Sequence, residues 1–93
     1  MLKLRKEEAQ DLIKQLKSWK LQDEQISAQW QFTDFTEAMV FINKVAILAE
    51  RHGHHPEIFN VYNRVRLTLT THDAGGLTQK DFDLAMAIDE LLS

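Results

Sequence analysis

The residues of this chain best suited to moving protons are its four histidines, and three of them crowd into Glu50-Arg51-His52-Gly53-His54-His55-Pro56. The fourth, His72, stands alone further on. An imidazole has an ordinary pKa of about 6.5, so near neutrality it both takes and gives protons, and its neutral ring also ligates metals. An elimination or dehydration needs one group to protonate a departing oxygen and another to accept a proton elsewhere, and a pair of histidines can supply both. Pro56, the only proline, pushes His55 toward extended backbone. Neighbouring side chains of an extended segment point to opposite sides, so His54 and His55 need not share one task. Metal binding is the competing reading. Helix-borne zinc pairs are commonly spaced i,i+3 or i,i+4, and a catalytic zinc takes three separated ligands; His52, His54, His55 and His72 fit neither pattern.

Two carboxylates stand at suggestive positions. Glu50 lies four residues before His54 and could orient its imidazole; otherwise it is a solvated charge in a last helical turn. Asp81 follows Thr78 at the spacing of a capping box, which favours the positive end of a helix dipole. The amide groups at such a helix start could also help hold a polar heterocycle. Tyr62 reads as hairpin packing rather than chemistry.

The elements that must position these groups follow from the hydrophobic pattern. With 93 residues there is room for one domain, residues 1–93, and no second one. So short a chain buries roughly 60–65% of the surface its unfolded form exposes, which makes self-association a natural supplement. Apolar content of 44% against 27% charged is that of a folded globule rather than a disordered tail. The absence of cysteine excludes disulfides, thiolate nucleophiles and zinc ribbons. A formal charge of −3 with interspersed signs offers no basic stripe for nucleic acid. The N-terminus is charged from Lys3 and no apolar run reaches the ~18 residues of a membrane span, so a cytoplasmic location is the expectation.

Ala9, Leu12, Ile13 and Leu16 give a first amphipathic helix within Leu4–Lys17. Trp19 and Leu21 open a strand, Asp23-Glu24-Gln25 turns it, and Ile26, Ala28, Trp30 and Phe32 alternate with polar residues in a second strand. Asp34 with Glu37 marks a helix start. From there Phe35, Ala38, Met39, Ile42, Val45, Ala46 and Ala49 recur at helical spacing until Gly53, a suitable C-cap. Val40, Phe41, Ile47 and Leu48 lie off that stripe, and point either to a subunit contact or to a helix sunk between two layers of its own domain. Ile58–Val61 and Val65–Thr71 flank a turn at Tyr62-Asn63-Arg64; His72 falls on the polar parity of the second run or at its end. Gly75-Gly76 breaks the chain, and Leu84, Ala85, Ile88, Leu91 and Leu92 face a last helix. The order α-β-β-α-β-β-α predicts an α+β sandwich, a four-stranded antiparallel sheet with three helices packed on one face.

With these residues placed, the chain resembles the pterin-4a-carbinolamine dehydratase family, which includes the dimerisation cofactor of a homeodomain transcription factor. The family signature is an acidic residue, three positions, His-His-Pro, five positions, an aromatic, nine positions, a histidine and then an aspartate. Glu50, His54-His55-Pro56, Tyr62, His72 and Asp81 match it without a gap. The flanking "NVYNRV" and "TTHDAGGLTQKD", with Phe35, Ala38 and Phe41 in the central helix, carry the likeness from Leu12 onward. The resemblance implies the same α-β-β-α-β-β-α fold and dehydration of 4a-hydroxytetrahydropterin to quinonoid dihydropterin, with no metal or organic cofactor. It also implies roles. His54 and His72 would act as acid and base, His55 would chiefly bind and orient the pterin, and Glu50, Ile58, Lys80 and Asp81 would line the pocket. A homodimer or homotetramer through a sheet edge and the central helix is implied, as is a possible helical protein partner in place of self-assembly. Another pterin, such as a molybdopterin-related one, is an alternative substrate. The chain departs from the family pattern at Ile58, where many members carry tryptophan, and at Gly53, where many carry an acidic or amide residue; both changes bear on pterin affinity.

Overall fold

Two hairpins share one sheet. In the computed structural model, which describes residues 2–93, the elements run α1 Lys6–Ile13, β1 Trp19–Gln22, β2 Gln25–Gln31, α2 Phe35–His52, β3 Glu57–Val61, β4 Arg64–Leu69, a short 3-10 turn His72–Ala74, and α3 Gln79–Leu91. The strands are antiparallel in the order β1-β2-β4-β3, so β2 and β4 are central and β1 and β3 are edges. Register pairs Ile26 with Leu69, Ala28 with Leu67 and Trp30 with Val65. These cross-strand pairs put the apolar residues of both central strands on one face, while Ser27, Gln29, Arg64, Arg66 and Thr68 take the other. The helices cover the apolar face: Ala9 of α1, Ala38, Phe41, Val45 and Ala49 of α2, and Phe82, Leu84, Ala85 and Ile88 of α3 join Ile26, Leu67 and Leu69 in a single core. This is the expected α+β architecture with three helices on one side of a four-stranded antiparallel sheet.

The differences from the sequence expectation have local causes. Helix α1 is shorter than Leu4–Lys17, because Leu4 donates its N–H to the Leu77 carbonyl and the chain after Ile13 tightens into i→i+3 bonds at Lys14, Gln15 and Leu16. The connector into β1 is tied down instead by Asp89, whose carboxylate accepts from the Lys17 N–H at 2.9 Å and the Trp19 indole N–H at 3.0 Å. Strand β4 ends at Leu69, and Thr71 pairs beyond it with Gly76 as an isolated bridge. In α2 the buried face is Ala38, Phe41, Val45 and Ala49, a stripe rotated from the expected one: Phe35 and Ala46 are exposed and Phe41 is core. Phe41 packs edge-on against Trp30 and at a tilt against Phe32, each with ring centroids at 5.0 Å, which draws its side of the helix onto β2. Val40 and Ile47 are left 49% and 55% exposed, while Leu48 packs against the core. Asp34 caps the helix by accepting the Glu37 N–H at 2.8 Å, and Glu37 returns to the Thr33 N–H at 3.0 Å.

Candidate functional site

The geometry of the site begins with a helix end. At Gly53 the backbone turns left-handed, φ 60° and ψ 34°, and the N–H of His54 reaches back to the Ala49 carbonyl at 3.1 Å. Glycine enters that region at little cost, and the closure stops α2 and redirects the chain. His54 is thereby aimed inward, with 12% of its side chain exposed, and its Nε2 lies 2.5 Å from Oδ1 of Asp81. His55 points the other way. Its Nε2 meets Oε2 of Glu50 at 2.6 Å, in a pair that is mostly solvated. Glu50 thus orients His55 and not His54: the left-handed turn at Gly53 swings His54 away from the last turn of α2.

Asp81 is fully buried at the third position of α3. Its Oδ2 accepts the Thr78 N–H at 2.9 Å and the Thr71 hydroxyl at 2.8 Å, and the Thr71 and Thr78 hydroxyl oxygens lie 2.9 Å apart. Thr71 has one proton; once it is given to Asp81, the Thr78 hydroxyl must be the donor between the two threonines. As a carboxylate, Asp81 accepts on Oδ1 from His54 Nε2–H, so the neutral imidazole keeps a free lone pair on Nδ1. A buried carboxylate with a donor on each oxygen, next to the positive end of a helix, is compensated rather than orphaned. Within the described residues no buried side-chain polar atom lacks a partner.

His72 begins the 3-10 turn just past β4 and is exposed, in keeping with a strand-end position. It follows Thr71 directly, so the network on Asp81 connects His54 to the residue beside His72. His72 lines a groove of about 490 Å³ together with Asp23 and Glu24 of the β1–β2 turn and Gly75 and Gly76, and His54 and His55 lie outside its lining. Lys80, second in α3, is half-buried beside Asp81. Ile58 pairs with Leu67 on the helix-bearing face of the sheet, but on edge strand β3 it is left 44% exposed. Tyr62 sits in the β3–β4 turn at φ 51° and is exposed, a turn residue as expected. Among the described residues no three His, Asp or Glu side chains form a group that could hold a metal ion. Thr71 was not foreseeable from spacing, since a threonine at a strand end has no signature of its own; Thr78 was legible only as a cap.

Residues 2–91 match the family described as pterin 4 alpha carbinolamine dehydratase. The chain belongs to that family. Curated relatives provisionally named pterin-4-alpha-carbinolamine dehydratases include one from Acidobacterium capsulatum, 52% identical over 99% of this chain and 100% of the relative. Another, from Chloroflexus aurantiacus, is 49% identical over 99% of both chains. Among solved structures, the transcriptional coactivator/pterin dehydratase from Brucella melitensis superposes with a TM-score of 0.92 at 35% identity, covering 98% of this chain and 99% of that one. A pterin dehydratase-like protein identified as a RuBisCO assembly factor in the alpha-carboxysome shares the fold, with a TM-score of 0.68 at 24% identity over 81% of this chain and 89% of its own. At the end of the sheet where the α2–β3 loop, the β4 terminus and the start of α3 meet, His54, Thr71 and Asp81 come together. What that arrangement can do is proton transfer: an imidazole held by a buried carboxylate on one nitrogen and free on the other is equipped to accept a proton and then release it.

Proposed function

We propose that this chain dehydrates 4a-hydroxytetrahydropterin to the quinonoid dihydropterin and water, as a hydro-lyase that recycles tetrahydropterin. In that reaction the C4a–O bond breaks, the oxygen takes a proton and leaves as water, and N5 loses its proton as its electron pair forms the N5=C4a bond. Oxidation state does not change, so a proton donor and a proton acceptor suffice. His54 and His72 share those roles, and His55, held by Glu50, binds and orients the pterin from the open side. Ile58, 44% exposed, offers an apolar wall, and Lys80 stands beside Asp81 in the first turn of α3. The observation that carries the reading is the His54–Asp81 pair, a mostly sheltered imidazole backed by a fully buried, fully hydrogen-bonded carboxylate. General acid-base help of this kind contributes roughly 10²- to 10⁴-fold. The test is to generate 4a-hydroxytetrahydropterin in the presence of a strong chelator and follow its decay by absorbance. Acceleration that survives the chelator supports side-chain acid-base dehydration, and acceleration abolished by it contradicts that route.

A second reading draws on α2. Val40 and Ile47 form an exposed apolar pair one face away from the core, and β3 leaves a free sheet edge with Ile58, Phe59 and Val61 each at least 44% exposed. Such surfaces suit homo-oligomerisation, or the docking of a helical protein partner in its place. Sedimentation of the chain alone distinguishes a stable oligomer from a monomer awaiting a partner. Among the described residues no helix is long and apolar enough to cross a membrane, and a cytoplasmic site of action is part of this proposal.

A further inference from the structure

We propose that Thr71 and Thr78 are positioning residues that fix which nitrogen of His54 reacts: by loading both of their donors onto Oδ2 of Asp81, they leave Oδ1 for His54 Nε2–H and make Nδ1 the proton-transferring atom. The inference deepens the dehydratase reading and rests on it for the reaction, while its central observable, the tautomer of His54, is independent of turnover.

Asp81 Oδ2 receives the Thr78 backbone N–H at 2.9 Å and the Thr71 Oγ1–H at 2.8 Å. Neither donor can be withdrawn cheaply. The Thr78 N–H belongs to the residue capping α3, whose hydroxyl is completely buried. The Thr71 hydroxyl accepts from Thr78 Oγ1, at 2.9 Å, and so has its own proton left for Asp81 alone. Thr71 is itself held at both backbone ends of its bridge, with its N–H on the Gly76 carbonyl at 3.0 Å and its carbonyl accepting the Gly76 N–H at 3.2 Å. The plane of the Asp81 carboxylate is therefore set by the β4 terminus and the start of α3, before His54 contributes anything. With Oδ2 so occupied, Oδ1 is left for His54, whose Nε2 it meets at 2.5 Å. A neutral imidazole has one ring proton; spending it on Nε2 leaves Nδ1 as the acceptor. The same donors would hold that ring through the protonated state, in which Nδ1–H becomes the donor.

Asp81→Asn is expected to have an unusual consequence. If Thr71 and Thr78 dictate orientation, the new amide must place its oxygen where Oδ2 was, to accept both donors, and its NH2 where Oδ1 was. The NH2 then donates to His54 Nε2, and the neutral ring is driven to carry its proton on Nδ1. The tautomer inverts although the side chain is isosteric. The experiment is long-range ¹H–¹⁵N correlation of histidine-labelled protein, recorded well above the ordinary imidazole range of about 6.5, alongside steady-state kinetics. The wild type is expected to show a pyrrole-type Nε2 and a pyridine-type Nδ1 on His54, and Asp81→Asn the reverse, with kcat down roughly 100-fold or more and KM changed by less than about threefold. Thr71→Val is expected to lower kcat roughly 10- to 100-fold, and Thr71→Ser, which restores the hydroxyl, to recover most of it. An unchanged tautomer in Asp81→Asn, a pyridine-type Nε2 in the wild type, or full activity in Thr71→Val would overturn the proposal; the Thr71 pair keeps it decidable if Asp81→Asn does not fold. A wild type that shows the expected tautomers but no dehydration would remove the dehydratase reading and leave the assignment of the nitrogens standing.

Discussion

His54 and His55 are neighbours in the chain, yet their imidazoles answer to different carboxylates: His54 Nε2 lies 2.5 Å from buried Asp81, and His55 Nε2 lies 2.6 Å from solvated Glu50. The separation follows from one left-handed residue and one proline flanking them. It gives two adjacent copies of the same side chain different surroundings, one sheltered against a buried carboxylate and one exposed beside a solvated one.

The two carboxylates should therefore behave differently when removed. Asp81→Ala strips a buried network of its acceptor and α3 of its first-turn acid, and is expected to cost about 3 kcal/mol of stability. Glu50→Gln breaks a pair whose partners are both mostly exposed, worth at most about 1 kcal/mol. Chemical denaturation of the two variants measures the contrast, and equal losses would contradict the assigned burial of function.

Gly53 offers a second check. No atom stands within 4 Å of a Cβ added there, so its substitution is limited by backbone conformation alone. At φ 60° a β-carbon costs about 1 kcal/mol, less for asparagine or aspartate, which tolerate this region. Asparagine or aspartate in place of Gly53 is thus a change among the residue types a left-handed C-cap accepts. Gly53→Asn is expected to keep both stability and turnover close to wild type, whereas Gly53→Val should lower the melting temperature and the rate together, as measured by thermal unfolding and steady-state kinetics.

The two faces of α2 are predicted to separate folding from association. Phe41→Ala empties a position 4% exposed and packed on two aromatic rings, at a cost of about 3–5 kcal/mol. Ile47→Asp alters a side chain 55% exposed in the single chain, so it should leave the fold intact by circular dichroism and lower the sedimentation coefficient by dissociating an oligomer. A wild type that sediments as a monomer would remove the homo-oligomer and leave the exposed face to another protein.

How far the sequence foretold this structure depended on which physical signal each feature leaves. Element order and the central strands were legible because Val65, Leu67 and Leu69 alternate strictly with Arg64, Arg66 and Thr68, and capping at Asp34 and Thr78 marks two helix starts. The buried face of α2 was not, because apolar residues surround much of that helix and only the ring packing of Phe41 with Trp30 and Phe32 decides which side turns inward. The histidine cluster and Asp81 stood out by type and spacing. The partners of each histidine did not, since the crossing from Glu50 to His55 depends on the turn at Gly53, and Thr71 enters through a pairing with Gly76 that no local pattern announces. Glu50 behind His54 was the natural reading of a four-residue spacing; the fold replaced it with Asp81, 27 residues away.

The central claim is that His54, backed by Asp81, transfers the proton on which dehydration depends. The most direct measurement is stopped-flow decay of freshly formed 4a-hydroxytetrahydropterin with the wild type and with His54→Ala, both verified as folded. The account predicts clear acceleration by the wild type and a loss of at least about tenfold in the variant, consistent with the removal of one general acid-base group. Equal acceleration by the two proteins would contradict it.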